Sequence, residues 1–131
     1  MSEENVDLVR GLLERFIATG ELSWDLMHED IVVHDHDTVL DTGDYRGHAG
    51  LRAMIENWES AWSDYSMEPD ELLDAGERVV VVFKMTAKGR ASGVELERQD
   101  AMLFAVRHGK VSRLDYFNNR AQAVEAAGLA A

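Results

Sequence analysis

Arg78-Val-Val-Val-Val-Phe-Lys-Met-Thr-Ala-Lys-Gly-Arg90 alternates: Val79, Val81, Phe83, Met85 and Ala87 fall on one side, and Lys84, Thr86, Lys88 and Arg90 on the other. A period of two is that of a β-strand with one buried face. After Ala91-Ser92-Gly93 the pattern resumes, with Val94, Leu96, Met102, Phe104 and Val106 on one side and Glu95, Glu97, Gln99 and Arg107 on the other. His108-Gly109, residue types that accept positive φ, turns the chain into a third strand over Val111 to Asn118. The spacing predicts an antiparallel meander from Asp74 to Asn119, its apolar side interrupted by the charged pair Arg98 and Asp100.

Upstream of the meander the period changes. Val6, Val9, Leu12, Leu13, Phe16 and Ile17 recur at helical spacing, with Ser2 as cap, Glu3 and Glu4 in the first turn and Gly20 as stop. Ser23 is read as the cap of a short second helix carrying Trp24, Leu26 and Met27, and Ile31-Val32-Val33 as a short strand running into His34-Asp35-His36-Asp37. The polar residues 37–47 read as a loop. Leu51, Met54, Ile55, Trp58, Ala61 and Trp62 mark a helix from His48 to about Asp64, and Tyr65 to Leu73 an edge or bent strand limited by Pro69. Asn119 caps a last helix over 120–127, with Gly128 behind it. This order predicts an α+β fold, a curved antiparallel sheet wrapped as a cone around the N-terminal helices and leaving an internal pocket.

The chain has 131 residues, one proline and no cysteine, which suits a single domain over 1–131 with a real core and no disulfide or thiolate chemistry. A formal charge of −12 argues against nucleic-acid and anionic-membrane partners, which require a basic face. The basic run Lys84, Lys88 and Arg90 faces Glu95 and Glu97 across the turn, so cross-strand pairing accounts for it. The acidic N-terminus lacks the features of a secretion signal and no apolar run has the length of a membrane span, so a cytoplasmic location is expected.

Several residues are candidates for chemistry. Asp35 follows the first strand, as a pocket carboxylate or as a solvated turn acid. An internal pair such as Arg98 and Asp100 is expensive to bury, which suits either an acid or base held by its cation or a structural pair at a bend. Tyr116 can donate a hydrogen bond into a cavity or simply pack. Phe16, Met54, Trp58 and Trp62 supply core and pocket wall. His34 and His36 could share one side as a metal pair, with a third ligand from His48, Asp41 or Asp44, in which case Asp35 faces away from the cavity; no metal or cofactor is expected. The apolar residues Val80, Val82, Leu103 and Ala105 on the other sheet face suggest a homodimer through that face.

Gly20-Glu21-Leu22, Val33-His34-Asp35, Tyr45-Arg46-Gly47, Asp74-Ala75-Gly76-Glu77-Arg78-Val79-Val80 and Gly109-Lys110-Val111, in this order and spacing, resemble a SnoaL-like polyketide-cyclase domain of the nuclear-transport-factor-2-like, ketosteroid-isomerase-like superfamily. The resemblance implies a cone fold that hosts isomerases, cyclases, hydrolases and non-catalytic binders. It makes Asp35 the counterpart of the isomerases' general base, and puts Leu13 and Met102 where those enzymes carry their two oxyanion donors. It makes Asp115 in Asp115-Tyr116-Phe117 similar to the last-strand acid of polyketide cyclases and epoxide hydrolases, although parity turns Asp115 away from the side of Leu114 and Tyr116. Arg98-Gln99-Asp100 is spelled like the hydrolases' Arg-x-Asp but lies one strand later. Two expectations follow. One is a cofactor-independent acid/base enzyme acting through Asp35, Asp100 or Asp115 on a small apolar or polyketide-like molecule held by Leu13, Phe16, Met54, Trp58, Arg98, Met102, Phe104 and Tyr116. The other is a non-catalytic ligand- or protein-binding module.

Overall fold

A computed structural model of the chain describes residues 2–36 and 44–129. Helix α1 (Ser2–Thr19) stops at Gly20, whose φ of 76° lets its N–H bond the Phe16 carbonyl at 2.7 Å. A single 3-10 turn (Trp24–Leu26) leads into β1 (Met27–Asp35), and β2 (Asp44–Arg46) into α2 (Gly47–Ala61). Strands β3 (Trp62–Ala75), β4 (Arg78–Gly89), β5 (Glu95–Arg107) and β6 (Lys110–Phe117) follow, and helix α3 (Arg120–Ala126) closes the described chain.

The six strands form one curved, unclosed sheet in the order β2-β1-β6-β5-β4-β3. The meander is present as read, each of its neighbours antiparallel, and His108 and Gly109 turn the last hairpin with φ of 53° and 74°. One pairing departs from the expected antiparallel sheet. β1 lies parallel to β6, with Val33 opposite Leu114 and Asp35 opposite Tyr116. Alternation tells which residues share a face and says nothing of strand direction. β3 is an edge strand, and its register shifts between Pro69 and Glu71, where proline cannot supply a ladder N–H.

The sheet buries both faces. On the inner face Val79, Val81, Phe83 and Met85 of β4 and Met102, Phe104 and Val106 of β5 pack against Val9, Leu12 and Leu13 of α1 and Leu51 and Met54 of α2. Phe83 is wholly buried, a residue type worth about 1.5–3 kcal/mol when removed from water. On the outer face Val80, Val82, Ala101, Leu103 and Phe117 meet Ala123 of α3, with Leu73, Ala127 and Leu129 around them. Asn119 holds α3 there by accepting the Gln122 N–H at 2.8 Å. Of the four residues on which the homodimer expectation rested, three are covered by the chain's own last helix, Val80 and Val82 being 0% exposed and Leu103 4%, and Ala105 is half-buried.

Several boundaries differ from the expected ones. The second helix is only a 3-10 turn, because Met27 already belongs to β1. Tyr45 and Arg46, read as loop, pair with Val33 and Val32 as β2. α2 ends at Ala61, and Trp62 opens β3 opposite Gly89. Val94, read as a buried strand residue, sits in the hairpin connection and is 60% exposed. Most of the loop expected at 37–47, with Asp41 as a possible metal ligand, and the Ser2 side-chain cap lie outside the described residues.

Candidate functional site

Between the two helices and the concave face of the sheet lies a cavity of about 140 Å³. α1 supplies Leu12, Leu13 and Phe16, and α2 supplies Leu51, Met54, Ile55 and Trp58. The opposite wall is Phe83 and Met85 of β4, Met102 and Phe104 of β5, and Leu114 and Tyr116 of β6. Met27, Met67 and Leu22 complete it, with Tyr65 and Ser66 at the exposed rim. Five of the chain's six methionines, Met27, Met54, Met67, Met85 and Met102, line this one space. Unbranched thioethers re-pack easily, so the wall can adapt to an occupant. The cavity shares Phe16, Leu22 and Ile55 with a surface groove that also touches Arg15 and Trp24.

Tyr116 is the one buried polar side chain among the described lining residues, and it is 7% exposed. Its ring packs edge-on to Phe83, with centroids 5.9 Å apart, and tilts against Trp58 at 6.3 Å. Its hydroxyl donates to Asp100 Oδ2. Arg98 Nε donates to Asp100 Oδ1 at 2.6 Å. Asp100 is 0% exposed, whereas the Arg98 side chain is 30% exposed, so the guanidinium leads from the buried carboxylate towards solvent. Strand geometry explains the cluster. Arg98 and Asp100 are two apart and so share the inner face, opposite Met85 and Phe83. Tyr116 is registered with Met102, and its long side chain reaches Asp100 diagonally.

Asp35 is 8% exposed, on the same face of β1 as Ile31 and Val33, and it is the register partner of Tyr116 on the neighbouring strand. It adjoins the polar cluster without belonging to the described cavity wall. Leu13 and Met102 do line the cavity, so two apolar side chains stand at the positions compared with oxyanion donors. Phe16, Met54, Trp58 and Phe104 line it as expected; Arg98, expected there too, is not part of the described wall and bonds Asp100 behind it. At the rim, burial raises the Tyr65 phenol above its ordinary pKa, and the nearby Glu59 charge adds to the effect.

Asp115 is placed on the other face, as its parity with Leu114 and Tyr116 requires, and this corrects its reading as a cavity acid. It is clasped by Arg113 through Nε at 2.8 Å and Nη2 at 3.0 Å, and by His36 Nε2 at 2.9 Å. Burial works against the Asp115 charge as the largest single influence, but the Arg113 and His36 hydrogen bonds and charges together hold its carboxyl below the usual value. His36 stacks on Phe117 with centroids 4.4 Å apart, and His34 bonds Asp44. The two imidazoles therefore sit on the side away from Asp35, each engaged by a carboxylate. Among the described residues no three His, Cys, Asp or Glu side chains converge as a metal site requires.

Phe83, Met85 and Leu114 are legible in the sequence as inward residues of their strands, but alternation alone does not assign them to a ligand wall. Met27 and Met67 carried no such signal, because the pairings that bring them in lie far apart in sequence. No described helix is long and apolar enough to cross a membrane.

Comparison with solved structures places this architecture among known ones. The chain superposes on a candidate SnoaL-like polyketide cyclase from Jannaschia sp. CCS1 with a TM-score of 0.75 at 19% identity, covering 96% of this chain and 92% of that one. A nuclear-transport-factor-2-like protein from Burkholderia xenovorans LB400 gives 0.73 at 23% identity, covering 97% and 98%. TerC, co-crystallised with polyporic acid, gives 0.72 at 18% identity, covering 95% and 98%. At these identities the likeness is one of fold. No curated protein matches the sequence. The sequence profile of the SnoaL-like domain matches residues 10–114, which runs from α1 to the middle of β6 and takes in most of the cavity wall together with Arg98 and Asp100. With the profile and the fold in agreement over most of its length, the chain belongs to the SnoaL-like domain family.

Proposed function

We propose that the chain takes a small apolar molecule into the cavity between α1, α2 and the sheet and moves a proton on it without a cofactor. The carrying observation is the buried Asp100, which accepts from Arg98 on one oxygen and, on the other, from the hydroxyl of Tyr116, a residue of the cavity wall. Tyr116 is the group in reach of a ligand, Asp100 the acceptor behind it, and Arg98 the cation that offsets the buried charge. In the forward step a C–H beside a ligand carbonyl passes its proton to the Tyr116 oxygen while the Tyr116 proton moves to Asp100 Oδ2. The C–H electron pair becomes that of the enolate, Asp100 becomes neutral, and the reverse transfers return a proton, or a deuteron from D2O, to the same carbon. The surrounding Leu, Met and aromatic side chains exclude water, which strengthens each of these interactions. Asp35, beside Tyr116 on the same face, is the reserve acid or base of the same cluster. The co-crystal of TerC with polyporic acid is an instance of this fold meeting a small organic molecule.

The test is incorporation of deuterium from D2O into a panel of small enolisable ring compounds, followed by NMR. Asp100→Asn and Tyr116→Phe should each fold, by circular dichroism, and each lose saturable exchange. Exchange unchanged by both substitutions would remove the relay. A second reading has its own support: apart from Tyr116, the buried residues of the described wall are all apolar, which suits a binder that does no chemistry. Saturable ligand binding with no exchange on any compound would favour that reading.

A further inference from the structure

We infer that the ligand is longer than the cavity: one ring seated inside carries an arm that passes between Phe16, Leu22 and Ile55 into the adjoining surface groove and ends in a carboxylate at Arg15. The inference rests on the cavity reading above and adds the part of the molecule that stays outside.

Size sets the inner part. A cavity of about 140 Å³ holds one ring, since an apolar protein cavity of roughly 150 Å³ takes up benzene. Its buried wall is hydrocarbon, thioether and aromatic apart from Tyr116, whose hydroxyl is engaged with Asp100. A carboxylate on the ligand finds no cation in that wall and stays outside it.

The boundary of the cavity gives the route. Phe16, Leu22 and Ile55 line both the cavity and the groove, and each is half-buried, so one side of each meets the hollow and the other the surface. Phe16 lies in the last turn of α1, and Leu22 in the irregular segment between α1 and the 3-10 turn. These side chains can part without unpairing any strand.

The groove supplies the charge. Arg15 Nη2 stands 3.6 Å from Glu21 Oε2, longer than a hydrogen bond, and the two side chains are 50% and 73% exposed. An exposed pair at that separation is weak, and a guanidinium has five N–H donors, so Arg15 keeps room for a second, bidentate carboxylate. The Arg52 guanidinium lies 4.7 Å from the centre of the groove's Trp24 ring and forms no ion pair among the described residues, which adds a second positive charge beside the groove. Asp25 and Glu56, next to Trp24 and Ile55 in sequence, are exposed and outside the described groove wall. Two guanidinium groups against one carboxylate favour an anion here over a cation. The formal charge of −12 does not reverse this, because exposed charges further off than about 8–10 Å are largely screened.

The experiment is calorimetric titration at pH 7 of wild type and Arg15→Gln with toluene and with phenylalkanoates of two to four methylene groups, each acid set beside the alcohol and the amine of the same skeleton. On wild type the best acid should bind about fivefold more tightly than its alcohol, the scale of one half-exposed ion pair, and should displace toluene. In Arg15→Gln acid and alcohol should bind alike, with toluene affinity unchanged. An alcohol or amine that binds wild type as tightly as the acid overturns the inference, as does an acid preference that survives in Arg15→Gln or an acid that binds without displacing toluene. Toluene binding in any of those cases leaves the cavity reading intact; binding by none of the probes at millimolar concentration overturns both. Should Arg15→Gln fail to fold, the order of acid, alcohol and amine on wild type decides.

Discussion

Removing Arg98 strands a charge. Asp100 is 0% exposed, and its two described side-chain donors are Arg98 at 2.6 Å and the Tyr116 hydroxyl. Arg98→Ala leaves the carboxylate with the phenol alone. Breaking a buried ion pair on one side costs about 3–5 kcal/mol, and because the Arg98 side chain is 30% exposed, water can follow it in, which puts the loss at the lower end, about 3 kcal/mol. With a urea slope of about 2 kcal/mol per M for a domain of this size, the unfolding midpoint should fall by about 1.5 M. The paired substitution Arg98→Leu with Asp100→Leu removes both charges and leaves only the neutral Tyr116 hydroxyl without this acceptor, so it should cost about 1–2 kcal/mol, less than the single change. Equilibrium urea unfolding of the three proteins, followed by tryptophan fluorescence, measures both numbers. An Arg98→Ala loss under about 1 kcal/mol, or a double variant as unstable as the single one, would refute the claim that the pair is held together inside the sheet.

Other expectations follow from the same structure. Asp115 has a depressed carboxyl pKa in the folded chain, so its ion pairs contribute stability above the ordinary carboxylate value of 3.8 and lose it as pH falls through the folded value. Wild type should accordingly be more stable than Asp115→Asn at pH 6, and the gap should close on acidification below about pH 4, read by thermal unfolding across pH. Leu13→Phe puts an extra ring into the hollow; it should weaken binding of any one-ring probe at least tenfold while shifting stability by no more than about 1–2 kcal/mol, checked by titration and by melting. Asn119→Ala deletes the cap of α3 and should cost about 1 kcal/mol in urea unfolding, with self-association appearing in sedimentation as Val80, Val82 and Leu103 are uncovered.

Local pattern carried most of the fold. The alternation of Val79 to Ala87 and of Met102 to Val106 named the inner residues of β4 and β5 correctly, since one face of a strand repeats every second residue. Parity alone also put Asp115 on the face away from Tyr116. What local pattern could not carry is pairing between distant segments. The parallel contact of β1 with β6, the three-residue β2 and the seat of α3 on the outer face all depend on where separate pieces of chain meet. The site follows the same division. Asp100, Arg98 and Tyr116 were each nameable as candidates, but the hydroxyl-to-carboxylate contact is a diagonal across β5 and β6 and exists only once their register is set. Met27 and Met67 join the wall for the same non-local reason.

Every proposed role of Tyr116 and Asp100 requires a small molecule in the hollow beside Tyr116. Five of the six methionines line that space, so their methyl groups, labelled with carbon-13, report on it directly. On titration with phenol, the Met54, Met85 and Met102 methyl signals should shift together and saturate along one binding curve. Methyl signals that stay in place up to millimolar phenol, or that drift without saturating, would contradict it.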